Sequence, residues 1–479
     1  MVAEGCMGEE RVLDFASLLG GLPAPWPEEG LRERLREGLV RSGSTLVVVD
    51  DDPTGTQTVH GVVVVTRWDE GTLRGELERC PVAFYVLTNS RALGVREAVA
   101  LSEELGANLR RASASAGRRV LVLSRSDSTL RGHFPQEVEA LARGMGLEPD
   151  GILLVPFFAE GGRYTVGDVH YVREGSLLVP VGRTEFARDP AFGFRHSHLG
   201  LWVEEKSGGR WRAGEVVSIP LELVRGRGPE GVAEVLERLE GGVPVVVNAV
   251  SERDLEVVAL GVCRAEAAGK RFIYRTAASF AKVRAGIADR GLLGPDELLC
   301  GCEGGAGGLV IVGSYVPRTT RQLEALLGGG GWRAVELDVR ELLAAGERAL
   351  GEVVHQVSGW LGRGEDVVVY TSRELVRGAD REESLRVGDA VAGALASLVR
   401  GLGVRPRFIV AKGGVTTSRV ATDGLGVVRA QVLGQVEPGV PVWRLGQESL
   451  YPGLTYVVFP GNVGEEESLV RVCAALRAA

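Results

Sequence analysis

Lysine is nearly missing from this chain. Only Lys206, Lys270, Lys282 and Lys412 occur, and the other 51 of the 55 basic residues are arginine. We read this as a coding bias towards arginine and not as a binding signal, but it singles out Lys412. Cysteine is also scarce. Cys6, Cys80, Cys263, Cys300, Cys302 and Cys473 form no C-x-x-C pair. The Cys300/Cys302 pair has no histidine nearby to complete a zinc site, so reduced spectator thiols are expected. No apolar run approaches the roughly 18 residues of a membrane span, and no N-terminal stretch resembles a signal peptide. The expected location is therefore the cytoplasm. Surplus positive charge is absent too: 55 basic residues face 63 acidic ones, a net charge of −8. That argues against non-specific binding to nucleic acid or to acidic membranes. No internal repeat is visible.

What is present is the composition of a globular protein, with 45% hydrophobic and 25% charged residues over 479 positions. That length exceeds one ordinary core, so two domains are expected. Short apolar runs alternate with amphipathic stretches. The runs include "CPVAFYVLTNSR" (80–91), "RVLVLSRSDSTLRG" (119–132), "GILLVPFFAEGGR" (151–163), "VPVVVNAVSERD" (243–254) and "RFIYRTAASFAK" (271–282). Helical patterns such as "REAVALSEELGANLRRAS" (96–113) lie between them. Such alternation predicts α/β architecture with mainly parallel sheets. Most runs end in polar clusters. In open α/β sheets ligands bind beyond the carboxyl ends of the strands, so these clusters should converge on a site. "CEGGAGGLV" (302–310) reads as a linker or a turn before a new strand, after which the pattern restarts. This predicts domains 1–304 and 305–479. Residues 164–235 show few clear strands and read as an insertion or lid.

The stretch "TLVVVDDDPTGTQT" (45–58) raises the sharpest question, since three acids end a strongly apolar strand. Their charges repel, and any burial removes hydration, so a cation, a proton or a basic partner must offset the cost. Asp50, Asp52 and Thr54 fit the D-x-D-x-T nucleophile loop of haloacid-dehalogenase-like phosphatases. The acids could instead bind a polyol or take a proton from its hydroxyl, or form a solvated turn. "SDSTLRGHF" (126–134) offers Asp127, Ser128, Thr129 and Arg131 to a carboxylate or phosphate, or else caps the helix that follows. "FAEGGRYTVGDVHYV" (158–172) contributes Arg163, while His170 lacks a visible partner and receives no catalytic role. Later come three strand–glycine loops: "VGSYVPRTTRQLEAL" (312–326), "VAKGGVTTSRVA" (410–421) and "VVFPGNVGEE" (457–466). None matches a P-loop or a dinucleotide fingerprint, yet three in one half point to a nucleotide site. Lys412 reads either as a phosphate contact or as surface charge.

In this order the motifs resemble the four-carbon acid sugar kinase family. The carrying residues are the D-D-x-T-G loop at Asp51, Asp52, Pro53, Thr54 and Gly55, D-S-T-L-R-G at Asp127–Gly132, and the glycine–arginine stretch around Gly162, Arg163 and Thr165. Further on lie Gly313–Ser314 with Thr319 and Gln322, the G-G-x-T-[ST] loop at Gly413–Thr417, and P-G-N-x-G at Pro460–Gly464. The match spans roughly residues 45–470. Three positions depart from the usual pattern: Val316, Val415, and Phe459 where the last loop often carries lysine.

The resemblance implies an N-terminal sugar-acid domain and a C-terminal ATP domain, with the active site in the cleft between them. It implies phosphorylation of a tetronate or 3-oxo-tetronate at its 4-hydroxyl. Asp51 and Asp52 would be catalytic. Thr54, Gly55, Asn89, Arg91, Asp127, Ser128, Thr129, Arg131 and Arg163 would bind substrate. Ser314, Lys412, Gly413, Gly414, Val415, Thr416, Gly461 and Asn462 would bind ATP. Mg²⁺ would accompany the nucleotide without a protein metal cage, because it keeps waters and takes few protein ligands. The expected partners are the sugar acid and ATP, with neither nucleic acid nor membrane; a homo-oligomer is compatible with this reading. The rival expectations are the phosphatase using Asp50 and Asp52, and a noncatalytic sugar-acid sensor.

Overall fold

A computed structural model describes residues 10–299, 305–345, 350–373, 376 and 381–479. Cys6, Cys300, Cys302 and the start of the glycine linker at 302–304 lie outside the described residues. Cys80, Cys263 and Cys473 are free thiols. No helix among the described residues is long and apolar enough to cross a membrane.

The chain folds into two compact α/β units. One holds residues up to Asp51, Trp68–Phe84 and Leu93–Ala288; the other holds Asp52–Arg67, Tyr85–Ala92 and Asp289–Ala479. The path between them changes at the Asp51–Asp52 peptide bond, inside the acidic stretch that ends the first strong apolar run.

The first unit is built on six parallel strands in the spatial order Val217–Ile219, Val243–Val247, Gly151–Val155, Phe272–Thr276, Arg119–Arg125 and Ser44–Asp50. Every residue of Ser44–Asp50 is buried. Continuous apolar composition, without alternation, is what a parallel strand covered on both faces requires. The long helix Val95–Ala116 starts with Glu97 accepting from the Gly94 N–H at 3.1 Å and ends on Gly117 in the left-handed region. The region 164–235 is more ordered than its sequence suggests. A small antiparallel sheet joins Leu13–Asp14, Leu177–Pro180, Val169–Glu174 and Arg163–Val166, and the helices Leu199–Lys206 and Leu221–Leu236 follow. Hairpin strands of four to six residues with charged tips give little periodic signal, which is why they escape the sequence reading.

The second unit has five parallel strands in the order Arg333–Leu337, Val367–Thr371, Leu309–Val312, Phe408–Lys412 and Thr455–Phe459. An antiparallel extension follows through Val440–Leu445 and Arg429–Glu437 to Val62–Val65, a strand from early in the chain. From Leu309–Val312 the chain proceeds to one side of the sheet, and from Phe408–Lys412 to the other. The crevice beyond these two strands is a topological switch point, the usual ligand position in open α/β sheets.

Candidate functional site

In the first unit the acids are met by an arginine from the neighbouring strand. Asp50 pairs in register with Arg125, whose Nη1 donates to Asp50 Oδ1 at 3.0 Å and lies 3.7 Å from Asp51 Oδ1. All three side chains are buried. Arg125 thus offsets the burial cost of Asp50 and part of that of Asp51. Ser126 Oγ donates to Asp51 Oδ2 at 2.5 Å, so this carboxylate already faces a hydroxyl. Gly132, at φ +123°, leaves room here: a Cβ would stand 2.7 Å from Ser126 Oγ and 3.4 Å from Asp51 Oδ2.

Beyond Ser126 the chain turns tightly. Thr129 Oγ1 donates to Asp127, and Arg131 Nε donates to Asp127 Oδ2 at 2.7 Å. Arg275, from the adjacent strand, donates to the backbone carbonyls of Arg131 at 2.6 Å and Asp127 at 3.3 Å, fixing the loop from below. The Arg131 and Arg163 guanidinium groups both lie over the Phe186 ring, 5.2 and 5.4 Å from its centre. Arg131 also reaches Asp189 at 3.5 Å. Asp127 and Ser128 do not cap the following helix, Gln136–Met145, whose N-cap is Pro135 with no side-chain bond.

His170, given no role from the sequence, holds this loop. Its Nε2 lies 2.7 Å from the Ser128 carbonyl and its Nδ1 lies 2.9 Å from Thr165 Oγ1. A carbonyl can only accept, so Nε2 carries the proton and the neutral ring accepts from Thr165 at Nδ1. Burial, aided by Arg163 and Arg275, lowers its pKa from 6.5 to about 4. The unfolded chain therefore holds a proton that folded His170 has lost. Its contribution to stability is complete above pH 6.5 and disappears as pH falls towards 4, a loss of about 3 kcal/mol. Denaturant titrations from pH 7.5 to 4.5 should show a steeper decline in wild type than in His170→Gln. Equal slopes would contradict the assignment.

In the second unit the three glycine loops meet. The N–H groups of Gly313 and Ser314 donate to the Lys412 carbonyl at 3.3 and 3.4 Å, and Gly413 N–H donates to Phe459 at 2.9 Å. Thr319 Oγ1 donates to the Gly461 carbonyl at 3.0 Å and lies 3.2 Å from Ser314 Oγ. Arg373 Nη1 donates to the Ser314 carbonyl at 2.7 Å, and Gln322 Nε2 donates to Val463 at 3.1 Å. A Cβ built on Gly461 would stand 2.9 Å from Ser314 Oγ, and one on Gly413 2.9 Å from Ser314 Cβ. Val415 is exposed in the first turn of the helix Gly414–Arg419, Thr416 is buried, and Asn462 is exposed. The helix Pro317–Gly328 opens with Pro317 at its first position.

Asp52 belongs to this unit. Its Oδ1 accepts from Thr54 N at 2.8 Å and Thr54 Oγ1 at 2.5 Å, while Oδ2 lies 2.6 Å from Arg91 Nη2. The same Oδ2 is 3.0 Å from where a Cβ on Gly414 would sit. Gly55 closes the Asp52 turn through a 3.0 Å backbone bond, and Asn89, at φ +53°, shapes the turn that carries Arg91.

The structure thus gathers Asp51, Asp127, Ser128, Thr129 and Arg131 in one cluster with Arg163 beside it. It gathers Asp52, Thr54, Gly55, Arg91, Ser314, Gly413, Gly414, Thr416 and Gly461 in another. For Lys412 the surface-charge reading is overturned: the side chain is fully buried, donating to the Pro460 carbonyl at 3.0 Å with its Nζ 3.7 Å from the Phe459 ring centre. The sequence reading also missed Arg125, Arg275, Asp189, Phe186 and Arg373. An arginine ending an apolar strand, as in "LVLSR" and "FIYRT", was the available signal for the first two. Among the described residues no group of three His, Cys, Asp or Glu stands close enough to hold a metal ion.

One unit thus offers acids, hydroxyls and arginines, and the other offers glycine loops at a switch point: the make-up of a two-domain protein that binds a polar anion and a nucleotide. Comparison with known proteins agrees. A family model described as a sugar-binding N-terminal domain matches residues 46–284, and one described as a nucleotide-binding C-terminal domain matches residues 309–469. D-erythronate kinase from Heliobacterium modesticaldum is 28% identical over 413 residues, covering 83% of this chain and 81% of the relative. D-threonate kinase from Salmonella typhimurium is 28% identical over 266 residues, 55% of this chain and 56% of the relative. The crystal structure of a Haemophilus influenzae protein of the DUF1537 family shares the fold, with a TM-score of 0.60 at 17% identity, covering 90% of this chain and 100% of that one. The chain belongs to the four-carbon acid sugar kinase family.

Proposed function

We propose that the protein transfers the γ-phosphoryl group of ATP to a four-carbon sugar acid, with the 4-hydroxyl of a tetronate or 3-oxo-tetronate as acceptor. One observation carries the reading: the loops after Val312, Lys412 and Phe459 meet around Ser314 at a topological switch point. Glycine backbone and hydroxyls assembled there suit a polyphosphate. The names of the relatives support the substrate class.

Ser314, Gly413, Gly414, Val415, Thr416, Gly461 and Asn462 would hold the nucleotide. Mg²⁺ on the triphosphate would neutralise charge as the phosphoryl group departs, held largely by phosphate oxygens and water. Arg131 and Arg163, sharing Phe186, suit the substrate carboxylate, since guanidinium forks bind carboxylates bidentately. Arg91 is engaged by Asp52, and this pair keeps an uncompensated carboxylate away from the phosphates at Gly414. Asp51, already facing the Ser126 hydroxyl, would take the proton of the attacking alcohol. Asp127, Ser128 and Thr129 would orient the remaining hydroxyls, and Thr54, Gly55 and Asn89 the turns beside them.

The phosphatase reading requires an accessible Asp50 nucleophile, yet Asp50 is 1% exposed and ion-paired to Arg125. An ATP-consumption screen over tetronates, 3-oxo-tetronates and other short sugar acids tests the proposal. ATP turnover that depends on a four-carbon acid is the expected result, with the phosphorylated carbon assigned by phosphorus–proton coupling. Phosphate release without ATP would favour the phosphatase, and ligand binding without turnover would favour the sensor.

A further inference from the structure

Lys412 is attached to all three glycine loops. Its carbonyl accepts the N–H groups of Gly313 and Ser314, its Nζ donates to the Pro460 carbonyl at 3.0 Å, and it is bonded to Gly413. The side chain is fully buried. A charged ammonium carries three N–H donors, and here Pro460 is its hydrogen-bond acceptor while the Phe459 ring face lies 3.7 Å away. That environment under-serves a full positive charge. Burial, together with repulsion from Arg318, holds the pKa well below 10.5. Arg318, on the helix after Ser314, is the charged group among the described residues whose field reaches it. The other elements against Lys412 present Ser314, Thr417 and Phe459, none of them charged at neutral pH.

We infer that Lys412 is the positioning residue of the nucleotide seat and that it takes up a proton when a triphosphate binds above it. The inference rests on the nucleotide reading proposed above. In the free protein a neutral amine suffices to hold Pro460. A polyphosphate beside Gly413 brings several negative charges into a poorly solvated site and so favours the ammonium form. By linkage, nucleotide affinity must then fall as pH rises between the free-state and bound-state pKa values of this amine, by up to about tenfold per pH unit for one proton. A lysine serving only to pack the core would leave nucleotide affinity independent of pH.

Calorimetric titration of the full chain with ATP, in two buffers of different ionisation enthalpy, tests this. At about pH 8.5 the nucleotide's own phosphates are fully ionised, since their last pKa is about 6. Wild type should take up as much as one proton per ATP bound. Lys412→Met should bind ATP about tenfold or more weakly, with no proton uptake and a flat pH profile. The wild-type proton count decides the matter even if the variant folds poorly. Proton-neutral binding by wild type, or equal uptake by Lys412→Met, would overturn the inference while leaving the ATP site intact. No ATP binding by wild type would overturn the nucleotide reading itself and the inference with it.

Discussion

Replacing Asp51 with asparagine is expected to lower sugar-acid-dependent ATP turnover by about 10²- to 10⁴-fold, the usual worth of a positioned general base. Asparagine keeps the shape and can still accept from Ser126, whose hydroxyl lies 2.5 Å from Asp51 Oδ2. It cannot take a proton. The KM for ATP should change little, because Asp51 makes none of the contacts that assemble the glycine loops. Asp52→Asn should behave differently. It weakens the 2.6 Å pairing with Arg91 and disturbs the carboxylate beside Gly414, so its effect should include a higher KM for ATP. Steady-state kinetics on both variants separates the roles. An Asp51→Asn enzyme that keeps more than about a tenth of the wild-type kcat would remove Asp51 as the base.

The two aspartates also show what a sequence can and cannot disclose. That acids end the Ser44–Asp50 strand was legible, because an apolar β-branched run stopping at three carboxylates is a local pattern. The glycine loops were legible for the same reason, as was the alternation giving two α/β units. What stayed hidden depends on distant pairing. Arg125 neutralises Asp50 from 75 positions away, and Arg275 fixes the Arg131 carbonyl from 144. Val62–Val65 joins a strand beginning at Arg429, so residues 52–67 cluster with the late part of the chain, and no local composition marks that. The burial of Lys412 was hidden for a related reason: surface charge is an ordinary reading of a lone lysine, but in-register pairing with Phe459 places it inside the sheet, where its amine turns to a backbone carbonyl.

Gly413→Ala is expected to reduce ATP-dependent turnover at least about 100-fold, through weaker nucleotide binding. Gly413 sits at φ +115°, a conformation that an L side chain enters at a cost of about 1–3 kcal/mol. The added Cβ would also stand 2.9 Å from Ser314 Cβ and 3.4 Å from Thr416 Oγ1. Neither neighbour can retreat cheaply. Arg373 holds the Ser314 carbonyl at 2.7 Å, and Thr416 is buried with its hydroxyl towards Gly313. The strain must therefore move the loops relative to one another, and displacements of this size at a phosphate seat are costly because phosphoryl transfer relies on positioning. Gly426→Ala serves as the control. Gly426 also has positive φ, at +64°, but a Cβ there meets nothing within 4 Å, so that variant should lose a little stability and keep its ATP affinity. Equal ATP affinity in wild type and Gly413→Ala would mean that the nucleotide does not lie against these loops.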